Sequence, residues 1–174
     1  RCIDPATNRD SAGRYSHDIV PLTMTNLWTR HILISMFFKR QVIDAVGDFD
    51  KNLGVGTHFG SGEETDLLLR SIYGGFHCRF DAGLVALHPD PPRDDSDKAV
   101  NRAYSYGLGW GALFHKHVVV FGQKVLLAYY GYSLFRTLGG MGYGVLRGDF
   151  SRTWFYFMSL KGRVKGWREW NGGA

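Results

Sequence analysis

The chain has 174 residues and a net charge of +5, with 44% hydrophobic and 15% aromatic residues. This leaves room for one domain with a sizeable core. The charge is uneven: residues 1–100 carry 11 Lys+Arg against 14 Asp+Glu, whereas residues 101–174 carry 10 against 2. A basic, aromatic tail behind an acidic segment suits an anionic lipid surface. It would also attract nucleic acid, but no recognised nucleic-acid motif accompanies it, and that class is set aside. Cys2 and Cys78 form no metal or redox spacing and fit a reducing compartment.

In chain order, residues 1–30 are polar, with Asp4-Pro5 and Pro21 as breakers, and read as an entry loop with a short extended piece. Residues 32–38 read as a buried strand. Residues 39–46 follow as a short helix, with Val42, Ile43 and Val46 at helical spacing. Residues 47–62 form a loop, and 63–73 a helix that buries Leu67, Leu68 and Ile72 and ends at Gly74-Gly75. Short strands are expected at 76–80 and 84–87. Pro89, Pro91 and Pro92 then impose a loop over 88–95. A helix starts at Ser96 and runs to 117, and three helical stretches fill the tail, broken near Gly139-Gly140 and at Gly148.

The most informative stretch is Gly54-Val55-Gly56-Thr57-His58-Phe59-Gly60-Ser61-Gly62-Glu63-Glu64-Thr65-Asp66. A glycine-rich loop there delivers three carboxylates to the first turn of a helix. General bases are commonly held in this way, on a rigid element beside a closely approaching backbone. A structural reading competes with it: Ser61 and Glu64 match the S-x-x-E capping box, and acids in a first turn are favoured by the helix dipole. A cap accounts for one acid and leaves the other two, and the glycines, without a role.

The run from Val46 to Arg70, VGDFDKNLGVGTHFGSGEETDLLLR, resembles the acceptor-side segment of family 2 glycosyltransferases with a GT-A fold. In that family a glycine-phenylalanine-acid turn leads through a glycine loop to an acid pair and a Leu-rich helix ending in Arg. Upstream, Ile34-Ser35-Met36-Phe37-Phe38-Lys39-Arg40 resembles the strand and basic pair that precede it. Downstream, Val85-Ala86-Leu87-His88-Pro89 resembles the strand ending in His that closes the catalytic half. The match covers roughly residues 31–117.

The resemblance implies an α/β fold: the C-terminal half of a GT-A domain over residues 1–117, truncated at its N-terminus, followed by a helical, basic, aromatic tail over 118–174. It implies that Glu64 is the catalytic base, standing where the family usually has Asp, with Glu63 and Asp66 as flanking acids. It implies that His88 ligates a divalent metal, Mg or Mn, on the sugar diphosphate. A polar strand end beside a proline is the other reading of His88. The implied partners are a nucleotide-sugar donor and a hydroxyl acceptor, saccharide or lipid-linked. The family's nucleotide-binding half ends in an Asp-x-Asp that is not found here. Asp48-Phe49-Asp50 follows the 39–46 helix in a turn, and Asp95-Ser96-Asp97 lies at a helix start where such residues are ordinary caps. On this reading the chain is a fragment, inactive alone. A non-catalytic membrane-surface module and a metal-dependent hydrolase using the Glu/Asp/His set are the alternatives.

Gly107-Leu108-Gly109-Trp110-Gly111-Ala112 matches the dinucleotide fingerprint G-x-G-x-x-A. No strand leads into it and no acid lies between 113 and 148 to take the ribose hydroxyls, so the match is set aside. Small residues on a helix instead suit close packing. The resemblance adds that Tyr106 and Trp110 stand near the acceptor channel and stack on a sugar. His115 and His117, two apart, point to different helix faces. In the tail, the 11 residues Val125–Phe135 carry no charge, too few for a span of roughly 20. Trp154-Phe155-Tyr156-Phe157 precede a basic stripe of Lys161, Lys165 and Arg168 at i, i+4 and i+7, which suits a helix lying on anionic headgroups; the other reading is the solvated basic face of an ordinary amphipathic helix. The expected location is peripheral, on the cytoplasmic face of a membrane, with an integral protein as the alternative.

Overall fold

The computed structural model describes residues 1–11, 18–29, 35–89 and 97–172. The described residues form a mixed α/β structure, mostly helical, with small sheets. The chain divides into two compact units, Arg1–Phe49 with Glu64–Arg93, and Asp50–Glu63 with Asp94–Ala174.

In the first unit, β1 (Cys2–Asp4) runs antiparallel to β2 (Arg9–Asp10). The turn between them closes because the Asp4 carboxylate accepts from the Ala6 amide at 3.1 Å and from the Thr7 hydroxyl at 2.9 Å. β1 also pairs in parallel with β5 (Ala86–Leu87), with Cys2 opposite Ala86. A second ribbon joins β3 (Val20–Pro21) to β4 (Arg79–Phe80). The helices are α1 (Arg40–Val46) and α2 (Glu63–Tyr73). α2 buries Leu67, Leu68 and Leu69 and stops at Gly74-Gly75, where Gly75 has φ +87°.

Both helices lie where periodicity predicts them. Within residues 1–30 the sequence reading has one short extended piece where the structure has three short strands; β1 and β2 pair locally, whereas the partners β5 and β4 of β1 and β3 lie some 60–85 residues downstream. The strand expected at 32–38 falls partly outside the described residues, and Met36–Lys39 have no regular structure. Ser96 and most of the 88–95 loop also lie outside them.

The second unit contains α3 (Asp97–His115), a π-helical turn at Lys116–Val120, α4 (Val125–Leu146) and α5 (Phe150–Glu169). α3 and α5 touch backbone to backbone. A Cβ on Gly111 would stand 2.1 Å from the Arg163 carbonyl oxygen, and one on Gly166 would stand 2.0 Å from that of Leu108. Gly107 and Gly162 occupy equivalent places one turn away. Gly109 faces elsewhere, with a Cβ there 2.3 Å from the Ser61 carbonyl oxygen. The three glycines of the nucleotide-like motif are thus used in packing. Above this contact Tyr130 stacks on Trp167, ring centroids 4.5 Å apart, and donates its hydroxyl to the Arg163 carbonyl at 3.1 Å. Along the chain the compact units change over at 49/50, 63/64 and 93/94, and α3 lies in the same unit as α5.

The expected break at Gly139-Gly140 does not occur: α4 runs through it. One helical glycine costs only about 1 kcal/mol, and Gly140 leaves room for the Tyr156 ring, which a Cβ would meet at 2.5 Å. The break at Gly148 is present, at φ +64°. No helix among the described residues is long and apolar enough to cross a membrane.

Replacing Gly166 by Val should therefore destabilise the fold by about 3 kcal/mol or more, since overpacking alone typically costs 1–3 and here the obstacle is backbone. Gly131→Ala, on the same helical hairpin with nothing within 4 Å, should instead stabilise by about 0.5–1 kcal/mol. Urea-unfolding midpoints of the two variants check both signs.

Candidate active site

α2 begins at Glu63, which puts Glu63, Glu64 and Asp66 in its first turn or just beyond. The capping box is not formed. The Ser61 hydroxyl donates instead to the Tyr106 carbonyl at 3.1 Å, and Gly62, with φ +102°, holds the position before the helix. Glu64 thereby loses its structural explanation. It is half-buried, and no hydrogen bond or ion pair engages its side chain among the described residues.

Asp66 is fully buried and paired with Arg70 one turn on, Nη2 to Oδ2 at 2.8 Å and Nε to Oδ2 at 2.9 Å. The Arg70 guanidinium continues to the C-terminus of α1. It donates to the carbonyls of Val46, of Gly47 at 3.3 Å and of Asp48 at 2.8 Å. The Val46 carbonyl is one a helix end leaves without an intrahelical partner, and those of Gly47 and Asp48 lie just beyond it. Asp66 thus orients a cation that ties α2 to α1, a structural task. Nearby, burial above all, with the Asp66 charge adding to it, holds the Tyr73 phenol well above its ordinary range.

In the second unit the glycine loop is tied down. Lys116 Nζ stands 2.6 Å from Asp50 Oδ2, both side chains nearly buried. Phe59 packs on Trp170, centroids 5.2 Å apart, and His58 Nε2 lies 3.1 Å from a Glu169 carboxylate oxygen. Gly54, at φ +107°, lies over the Glu63 carboxyl: a Cβ there would stand 2.9 Å from its carbon. The bare backbone lets that carboxyl approach. Tyr106 is 44% exposed and uses its carbonyl to hold Ser61. Trp110 is half-buried against Phe114, with the Arg163 guanidinium 5.7 Å over its ring. Burial lowers the Arg163 pKa.

His88 follows β5 directly, and its amide donates to the Ile3 carbonyl at 2.9 Å. Its Nδ1 is buried and has no hydrogen-bond partner among the described residues. No hydrogen bond or ion pair joins His88 to Glu64 among them. Nor do three His, Cys, Asp or Glu side chains there form a group suited to a metal ion. Sequence reasoning missed a cleft of about 680 Å³ in the first unit, lined in part by Phe38, Lys39, Leu68, His77, Cys78 and Arg79. Neither Glu64 nor His88 lines it. Of the basic pair Lys39-Arg40 only Lys39 lines it, and the rest comes from residues scattered along the chain.

No protein family, curated protein or solved structure matches the chain.

The two acids of α2 should respond differently to neutralisation. Asp66→Asn leaves Arg70 without its countercharge and should cost about 3–5 kcal/mol, as broken buried pairs do. Glu64→Gln should change stability by no more than about 0.5 kcal/mol. Chemical denaturation of the two variants checks the contrast.

Proposed function

We propose that the chain is the acceptor-side part of an inverting family 2 glycosyltransferase of GT-A fold, working peripherally at the cytoplasmic face of a membrane. The observation that carries this reading is Glu64: a half-buried carboxylate in the first turn of α2, engaged by no partner among the described residues and relieved of any capping duty. Beside it Asp66 is committed to Arg70 and so holds the helix rather than reacting.

In this reaction Glu64 removes the proton of an acceptor hydroxyl as that oxygen attacks the anomeric carbon of the donor. The bond from that carbon to the diphosphate breaks in the same step, giving an inverted glycoside and a nucleoside diphosphate. Tyr106 presents an exposed ring suited to stacking on a sugar, while Trp110 has less of its ring free. A divalent ion, Mg or Mn, would offset charge on the leaving diphosphate. His88 would give it one nitrogen, and the described residues supply no further ligand cluster, so the remaining ligands would come from elsewhere.

The natural polypeptide carrying these residues should release nucleoside diphosphate from a nucleotide sugar in the presence of a hydroxyl acceptor. Glu64→Gln should lower turnover by about 10²–10⁴-fold with donor affinity little changed, and His88→Ala should weaken the dependence on divalent metal. Equal, mild losses from both changes, or cleavage of a substrate without any nucleotide sugar, would remove the reading.

A further inference from the structure

The far end of the α4–α5 hairpin is apolar and uncovered by the described residues. The near end is packed: Leu126 and Tyr130 of α4, and Gly162 and Gly166 of α5, are buried. Beyond Thr137 the only buried residue of α4 is Gly144, and α5 buries nothing before Ser159. Between them Leu146 is 86% exposed and Phe150 85%. Phe150, Trp154 and Phe157, all exposed, fall at i, i+4 and i+7, one face of α5. Leu138 and Val145, exposed as well, are seven apart on α4. A run of large apolar groups of this kind marks an interaction surface.

Beyond Arg136, which is exposed and lies over the Tyr132 ring, several polar groups of this finger bond to its own backbone or gather at its tip. The Thr153 hydroxyl donates to the Asp149 carbonyl at 2.9 Å, and that of Thr137 to the Ser133 carbonyl at 2.8 Å. At the tip, the Arg147 and Arg152 guanidinium groups stand 5.5 and 5.3 Å from the Tyr143 ring centroid. Arg147 Nε also donates to the Tyr143 hydroxyl at 3.2 Å. Asp149 is the acid there, 3.7 Å from Arg152 Nε on an exposed pair that contributes little. Residues 118–174 hold eight Lys and Arg against two acids, so a second copy of this chain would bring more of the same charge. An anionic surface complements both the charge and the apolar face.

We propose that the tip of the α4–α5 hairpin anchors the protein on an anionic bilayer, with Leu146, Phe150 and Trp154 entering the acyl boundary and Arg147 and Arg152 holding lipid phosphates beside Tyr143. This rests on the membrane-surface part of the proposed function and is independent of the transfer chemistry. It moves the contact from the expected basic stripe to the tip. Of that stripe, Lys165 is already occupied by Glu169 at 3.6 Å and by the Tyr104 ring. The stripe also begins 11 residues beyond Phe150, roughly 16 Å along the helix axis.

The test is flotation with vesicles of phosphatidylcholine alone or mixed with phosphatidylglycerol, with helicity checked by circular dichroism. The wild type should float with the anionic vesicles and release as salt rises. Arg147→Gln with Arg152→Gln should weaken binding about 30-fold, from about fivefold per charge. Leu146→Glu with Phe150→Glu should abolish it, and Lys161→Gln with Lys165→Gln and Arg168→Gln should change it less than about twofold. If the glutamate variant misfolds, the arginine pair decides, since it leaves every apolar residue in place. Failure of the wild type to float would overturn both the anchor and the surface reading. Loss of binding in the stripe variant with none in the tip variants would overturn the tip and leave the surface reading standing. Sedimentation showing a dimer that only the tip variants dissociate, without a change in flotation, would assign the tip to a second copy and overturn the anchor.

Discussion

Two helices bring their backbones into contact only where neither interposes a Cβ, and α3 and α5 meet in this way at Gly107, Gly111, Gly162 and Gly166. The close approach lets Tyr130 stack on Trp167 and His115 Nδ1 reach within 2.6 Å of the Trp167 carbonyl. It also leaves Gly109 to the other side of α3, where Ser61 of the glycine loop lies against bare backbone. The same short motif thus seats α5 on one face and the loop on another. The loop is further held by Lys116 on Asp50 and by Phe59 on Trp170. The segment that leads into the acids is therefore a tethered connection, and its glycines serve fit as much as freedom.

A second constraint shapes α2. A buried carboxylate needs a partner, because an ion taken from water is costly unless paired. Asp66 finds Arg70 within its own helix, and Arg70 in turn satisfies carbonyls at the end of α1. Among three acids of similar position, burial has sorted the roles. Asp66 is committed to the fold. Glu63 lies beneath the backbone at Gly54. Glu64 remains half-buried and unengaged among the described residues. The difference of one or two positions along the helix, about 100° of rotation each, decides which acid is left without a hydrogen bond or ion pair among the described residues.

The tail shows the reverse of ordinary core formation. Its near end spends its small residues on tight contacts, and its far end keeps the large apolar side chains outside. Cations and a tyrosine gather where the hairpin turns. Such a finger is awkward in water and well suited to the boundary between headgroups and acyl chains.

Local signals carried much of this. Apolar spacing placed α1 and α2, and Gly74-Gly75 and Gly148 marked helix ends, because helical period and turn geometry are properties of neighbouring residues. The acid cluster at a helix start was legible for the same reason, and so was the packing use of the α3 glycines. The pairings of Cys2–Asp4 with Ala86–Leu87 and of Val20–Pro21 with Arg79–Phe80 were not, since each joins strands of two or three residues that are far apart in the chain. Nor was the continuity of α4 through Gly139-Gly140, where an aromatic ring from α5 occupies the space left by Gly140. The sequence by itself determined which residues are helical, basic or acidic. Only the tertiary structure decided that Ser61 caps nothing, that Asp66 belongs to Arg70 and that the apolar end of the hairpin stays uncovered by the described residues, because each depends on which groups long-range packing brings within a few ångströms.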